Sequence, residues 1–244
     1  MKLSIIIPAR REEDAIISTL KQLEREVHVP HEILVVDDAI DPADRTADVV
    51  AAYAKRHPDV ILVRKKSTYR DGFAVALSRG IQYARGDAVV FVMADICDDP
   101  KTINTMYKKL LEGYDVVCGS RYMPGGKKTG GPVMQNMLSR FLNRFLYLST
   151  GVPTRDATNA FKMYRRSLAR SLVFDTTLGF AISMHIFFQA FFSGARIAEI
   201  PTRWVGRKAG ASKFRPLSQM MPYARATLAA LAEVWKRKVR SLWI

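Results

Sequence analysis

Five short apolar runs, separated by stretches with helical spacing, constrain this chain more than any other feature. Lys2 to Ile7, Glu32 to Asp37, Val60 to Val63, Ala88 to Met93 and Asp115 to Gly119 read as strands. Their centres, such as Ile5-Ile6-Ile7 and Val89-Val90-Phe91-Val92, do not alternate apolar with polar residues. Strands of that kind are buried on both faces, as in a parallel sheet covered by helices. The intervening segments supply the helices. Glu13 to about Val27 places Ile16, Leu20, Leu23 and Val27 on one face, Asp41-Pro42 opens a helix to about Arg56, and Gly72 to Arg85 and Pro100 to Glu112 follow. Asp41 is the expected N-cap of the second helix, with Asp44 in its first turn facing the dipole. The fold class is therefore α/β, a mostly parallel sheet between helices. Ligands of such sheets gather at strand C-termini, which brings Pro8 to Glu13, Asp37 to Asp41, Arg70 to Gly72 and Asp95 to Asp99 to one edge.

The fourth strand ends on carboxylates, in Met93-Ala94-Asp95-Ile96-Cys97-Asp98-Asp99-Pro100. An acidic cup at a strand tip suits a metal-bound or phosphate-bearing ligand, while Asp99-Pro100 is also a helix start. Both hold together if Asp99 caps and Asp95 faces the ligand. The second half is less regular. Met123 to Pro132 is rich in glycine and cations, and reads either as a loop whose amides approach an anion or as a flexible connector. Phe161 to Tyr164 and Arg196 to Ile200 read as strands, Phe180 to Phe192 as a helix, and Val205 to Lys213 as a second basic loop. From Pro216 a long amphipathic helix carries Leu217, Met221, Ala224, Leu228, Leu231 and Trp235, and ends in Lys236-Arg237-Lys238 with Arg240. The expected organisation is one domain over residues 1–215, with halves 1–122 and 123–215, followed by the basic helix 216–244.

A formal net charge of +15 favours an anionic partner, either nucleic acid or acidic lipid. No recognisable nucleic-acid module accompanies the charge. In Met134 to Tyr147, Met134, Met137, Leu138, Phe141, Leu142 and Phe145 follow a helical period, with Arg140 and Arg144 one turn apart on another side. That pattern suits a helix in a membrane interface; a core-facing helix with solvated arginines is the alternative. Thr176 to Ala195 has no charged residue but is interrupted by Gly179, Ser183, His185, Gln189 and Ser193, so it reads as a buried or interfacial helix rather than a span. Cys97 and Cys118 have no metal-ligand spacing and form no disulfide framework, which fits a reducing cytosol. The first residues read as a strand and not as a signal peptide.

Taken in order, Ile5-Ile6-Ile7-Pro8 with Arg11-Glu12-Glu13, Val35-Val36-Asp37-Asp38, Asp44-Arg45-Thr46, Gly72 to Ala76, Gly86-Asp87 and Ala94-Asp95 resemble the nucleotide-sugar half of the inverting family-two glycosyltransferases of GT-A fold. Gly119-Ser120-Arg121-Tyr122, Asp156 to Phe161, Glu199-Ile200-Pro201 and Arg207 to Lys213 are similar to the branch of dolichyl-phosphate mannose synthases and polyprenyl-phosphate glycosyltransferases. The resemblance spans nearly all of the chain to about residue 215. It implies a donor pocket of Pro8, Glu12, Asp37, Asp38, Arg70 and Asp95, and Mg²⁺ or Mn²⁺ held by Asp95, with Asp98 or Asp99 as substitutes.

For the acceptor phosphate the resemblance implies Arg121, Arg207, Ser212 and Lys213. A phosphomonoester is already an anion near neutral pH, its second pKa being about 6, so cations and not a general base are needed. The residues carrying transfer would be Asp95, Arg121, Arg207 and Lys213, on the cytoplasmic face of a membrane and with room for a separate anchoring subunit. The chain departs from the family pattern at Met93, where the first Asp of Asp-x-Asp stands, at Cys97, at Arg10-Arg11 and at Ala39-Ile40. Two other readings stay open: transfer to a soluble or glycan hydroxyl, for which His185 is the candidate base, and a GT-A binding module that Met93 has impaired. A lone His on an apolar helix more often belongs to the core.

Overall fold

The computed structural model describes residues 1–37, 43–64, 72–95, 97–207 and 216–241. Each apolar run is a strand: β1 Leu3–Ala9, β2 His31–Asp37, β3 Val60–Arg64, β4 Ala88–Phe91 and β5 Val116–Ser120. Helices α1 Ile16–Glu26, α2 Thr46–Ala54, α3 Phe73–Tyr83 and α4 Lys101–Leu111 connect them. Strands β1 to β4 pair in parallel, and Ile5, Ile6, Ile7, Val89 and Val90 are wholly buried between the helical layers. The expected cap Asp41 lies outside the described residues. Asp44 does meet the start of α2, accepting the Thr46 backbone N–H at 2.9 Å.

Two glycines set how closely α3 and its exit approach the sheet. A Cβ on Gly80 would stand 2.3 Å from Ile6 Cγ2, and one on Gly86 would stand 2.7 Å from the Lys2 carbonyl oxygen. The second neighbour is backbone of β1 and cannot swing aside as a side-chain tip does. Gly86→Ala is therefore expected to destabilise the fold by about 1–3 kcal/mol, the usual range for overpacking. A urea midpoint equal to that of the unmodified protein would show that β1 shifts freely, contrary to this packing.

The second half adds β6 Lys127–Thr129, α5 Val133–Thr150, β7 Lys162–Arg165, α6 Arg166–Ser171, a 3₁₀ turn Thr176–Ala181, α7 Ile182–Phe192, β8 Ile197–Pro201, β9 Arg203–Val205 and α8 Pro216–Ser241. The main sheet has the order β3-β2-β1-β4-β7-β5-β8, with β6 and β9 forming a separate pair. Strand β7 runs antiparallel between β4 and β5. It therefore starts at the edge where the parallel strands end, and this places the preceding residues Asp156 to Asn159 at the ligand edge.

The middle of Thr176 to Ala195 is core. Ile182, Met184, Ile186, Phe187 and Ala190 are buried, and no helix among the described residues is long and apolar enough to cross a membrane. Helix α5 does the opposite. It buries Asn143, Leu146 and Thr150 while Met134, Met137, Leu138, Phe141, Phe145 and Leu148 are exposed, Phe141 by 72%. Helix α8 packs against α5, α7 and the 3₁₀ turn through Ala226 and Ala230, and leaves Met220, Met221, Leu228 and Trp235 exposed. The reading of α5 as a core-facing helix does not hold, because its apolar stripe points outward.

Candidate active site

The C-terminal edge of the parallel strands is built by three loops. Arg11 to Glu13 leaves β1 and is tied to the start of α2: the Arg11 backbone N–H meets Asp44 Oδ2 at 2.6 Å, and the Glu12 N–H meets Thr46 Oγ1 at 2.8 Å. Arg11 takes a positive φ of 50° there, an unusual conformation for a residue with a side chain. From β4, Ala94 is pinned by Thr19 of α1, whose hydroxyl donates to the Ala94 carbonyl at 2.6 Å. The third loop comes from β9. Asp98 bridges to Trp204, and the Asp99 and Val205 N–H groups bond the Arg203 and Cys97 carbonyls, which ties the acidic segment to β9.

Just beyond β9, Arg207 spans the edge. Its Nη2 donates to Glu12 Oε1 at 2.7 Å and its Nε to Asp95 Oδ2 at 3.1 Å. All three side chains are largely buried, at 15%, 8% and 16% exposure. Burial opposes the guanidinium's charge, but the bond to Glu12 and the charge of Asp95 outweigh it and hold Arg207 above its usual range. Among the described residues, Asp95 Oδ1 and Asp98 Oδ1 are buried without a hydrogen-bond partner. Such an orphaned oxygen is costly unless something fills it. Burial pushes the Asp98 carboxyl up to about 7, with Arg121 opposing and Asp95 and Asp156 adding to the rise. Asp99 is engaged otherwise, accepting the Lys101 N–H at 3.1 Å at the start of α4.

A second ion pair lies beside this edge. Arg121, just past β5, makes two parallel bonds to Asp156, Nε to Oδ2 at 2.7 Å and Nη2 to Oδ1 at 2.8 Å. Its backbone N–H also meets Oδ2, at 2.9 Å. Asp156 is wholly buried. Burial works against Arg121's charge, yet Asp156 more than compensates and raises its pKa.

The family model for glycosyl transferase family 2 matches residues 4–173, which includes all of this edge except the Arg207 segment. The chain belongs to glycosyl transferase family 2. Its relatives include a dolichol-phosphate mannosyltransferase of Pyrococcus furiosus, 27% identical over 88% of this chain and 60% of that one. An undecaprenyl-phosphate mannosyltransferase of Micrococcus luteus is 29% identical over 87% of each chain. The transferase thus spans 60% of the first relative's length, less than two thirds, and most of the second's. Among solved structures it is similar to glucosyl-3-phosphoglycerate synthase of Mycobacterium tuberculosis in complex with Mn²⁺, UDP and glucosyl-3-phosphoglycerate. The TM-score is 0.69 at 23% identity, over 96% of this chain and 79% of that one. That likeness establishes the GT-A fold.

The structure brings Glu12, Asp95 and Arg207 of the transferase into direct contact, with Asp98 in electrostatic reach of Asp95. Pro8 and Asp37 sit on neighbouring strands at the same edge, Pro8 paired with Val36 and Ala9 with Asp37. Asp38, Arg70, Ser212 and Lys213 lie outside the described residues. Arg121 reaches the edge but is held by Asp156. His185 is on α7 among core residues, where burial lowers its pKa and Asp175 opposes the fall. Sequence reasoning missed the role of Asp156: it sat in a quoted motif, Asp156-Ala157-Thr158-Asn159, but its partner is 35 residues away. Gly86-Asp87 is structural, since Asp87 Oδ2 accepts the Lys2 N–H at 2.8 Å.

Proposed function

We propose that this family 2 transferase moves a hexose, mannose by the example of its relatives, from a nucleotide-diphosphate sugar to a polyprenyl phosphate at a membrane surface. The observation that carries the reading is the outward apolar face of α5, a helix tied to Tyr122 after β5 through Ser139 and to Thr158 in the segment before β7 through Asn143. A soluble acceptor needs no such face, and an exposed apolar patch of this extent marks a partner or a membrane. Arg140 and Arg144 are both exposed on the same helix, which suits anionic headgroups. The reading keeps the chain peripheral on the cytoplasmic face, with a separate anchoring subunit compatible but not required.

Glu12 and Asp37 suit hydrogen bonds to the nucleoside. The orphaned Asp95 Oδ1 fits a divalent cation, since Mg²⁺ binds through one or two carboxylates together with substrate phosphates. Asp98 Oδ1 is the next available oxygen, and a bound Mg²⁺ or Mn²⁺ would neutralise charge growing on the leaving diphosphate. Among the described residues no group of three His, Cys, Asp or Glu side chains is arranged for a metal, in keeping with Met93 at the first Asp position. Arg207 supplies a cation at the same carboxylates. When donor and Asp95 engage, its guanidinium is positioned to turn toward phosphate oxygens, where it stabilises the charge that develops on transfer.

Anionic vesicles test the membrane part. Arg140→Glu with Arg144→Glu is expected to weaken vesicle binding by about 1 kcal/mol for each charge removed, and more for the reversal. Cosedimentation at low salt reads the effect. Unchanged binding of the double variant would detach α5 from the membrane and leave α8 to carry it.

A further inference from the structure

Lys162 of β7 is wholly buried, yet among the described residues no carboxylate pairs with it. Its Nζ donates to the Ala157 carbonyl at 2.9 Å and to the Asn159 carbonyl, and it lies 4.9 Å from the centre of the Phe187 ring on α7. Two carbonyl dipoles and a ring face hold the charge. Burial pushes its pKa down to about 8, with Cys118, Asp156 and Asp98 opposing and Arg121 adding to the fall. An apolar side chain of similar volume would avoid that desolvation, so packing alone gives no reason for a lysine.

The segment it grips reaches every part of the edge. Across the sheet Lys162 pairs with Cys118 of β5, which pairs in turn with Glu199 of β8. Glu199 holds the other end of the segment, accepting from Thr154 Oγ1 at 2.9 Å and from the Arg155 N–H. Between the two grips Asp156 takes Arg121, whose guanidinium also lies 5.2 Å from the centre of the Tyr122 ring. The Thr158 N–H bonds Asn143 Oδ1 of α5 at 3.0 Å. Asn159 donates to the Gly119 carbonyl at 2.9 Å and hydrogen-bonds the Asp98 carboxyl.

We infer that Lys162 is a positioning residue of the transfer reaction, pinning the Ala157 and Asn159 carbonyls so that Asp156 aims Arg121 and Asn159 aims Asp98. The inference rests on the proposed function for its kinetic readout alone. Charge-assisted bonds are shorter and stronger than neutral ones, which suits a grip that must hold geometry. Positioning and folding respond oppositely to alkali. Because the pKa is lowered to about 8 from 10.5, the unfolded chain binds the extra proton between those values, and Lys162 adds stability as pH rises through them. Its grip weakens over the same window, so turnover should fall. Of the groups facing it, burial pushes Cys118 up to about 12 and Asp98 up to about 7, both outside the window. Lys128 on β6 does titrate there, its pKa lowered to about 8 by burial and then by Arg121 and Arg140 against Asp156. Variants at Lys162 separate the two lysines.

The test is hydrogen exchange and steady-state kinetics on the full chain, with Lys162→Met and Lys162→Arg. In Lys162→Met the N–H groups of Asp156, Thr158 and Asn159 should exchange about tenfold faster or more while β1 and β2 are unchanged. Its kcat should fall about tenfold or more, with KM for the nucleotide sugar unaltered. The melting temperature of the parent relative to Lys162→Met should rise with pH as the parent's kcat falls. Lys162→Arg, whose guanidinium stays charged, should recover part of the turnover and keep it through that window. Unchanged exchange in Lys162→Met would overturn the inference, and so would its failure to fold, which would make Lys162 part of the fold alone. An alkaline fall equally steep in Lys162→Arg would overturn it as well, by assigning the fall to Lys128. If Lys162→Arg does not fold, exchange in Lys162→Met decides. A parent that transfers no sugar would sink the proposed function, while faster exchange at Asp156 to Asn159 in Lys162→Met would still leave the grip in place.

Discussion

Asp95→Asn is expected to lower sugar transfer by about 10²–10³-fold, the loss usual when a preorganised stabiliser of transition-state charge is removed, while leaving the fold intact. The side chain keeps its volume, and Arg207 keeps its 2.7 Å bond to Glu12. What disappears is the charge on an oxygen that is buried without a hydrogen-bond partner among the described residues, the feature on which the proposed cation site at Asp95 rests. Nucleotide-diphosphate binding in the variant should lose its response to added Mn²⁺, and the melting temperature should stay within a few degrees of the parent's. Full turnover at saturating metal would move the assignment to Asp98, whose Oδ1 is also without a partner among the described residues.

The effect on stability should be largest at Arg121. Arg121→Ala leaves Asp156, a wholly buried carboxylate, without its two side-chain donors. Breaking one side of a buried ion pair costs about 3–5 kcal/mol, because the remaining charge is uncompensated. Arg121→Lys keeps the charge but cannot make both parallel bonds, so its loss should be intermediate. Urea denaturation of both variants reads the difference. The pair also bears on function, since Asp156 fixes the guanidinium that flanks Tyr122. A loss below about 1 kcal/mol in Arg121→Ala, within the range of an exposed pair, would mean that Arg121 is free to serve the acceptor directly.

The parallel half of the fold was legible because buried parallel strands leave an unmistakable trace: Ile5-Ile6-Ile7 and Val89-Val90-Phe91-Val92 are apolar on both faces. From strand polarity alone, their C-terminal ends defined one edge, and Glu12 and Asp95 do meet there. Strand direction leaves no such trace. The run ending at Tyr164 was readable as a strand, but not as one that enters antiparallel between β4 and β5. Lys127–Thr129 and Arg203–Val205 were hidden for a different reason, since three-residue strands rich in cations, beside glycines, look like loops. Contacts across the fold were out of reach entirely: Arg207 finds Glu12 at a separation of 195 residues. The spacing of α5 gave its apolar stripe correctly, while whether that stripe faced core or solvent depended on what packed against it.

The acidic edge and the outward face of α5 are proposed to serve one reaction, transfer of a hexose onto a lipid phosphate. The measurement that meets it most directly is incubation of the full chain with labelled nucleotide-diphosphate mannose, Mg²⁺ and polyprenyl phosphate in anionic vesicles, followed by organic extraction. The predicted result is label in the organic phase that depends on polyprenyl phosphate, is released by mild acid and is lost in Asp95→Asn. Label that stays in water on a hydroxyl acceptor, or nucleotide binding with no transfer to the lipid from any hexose donor, would contradict it.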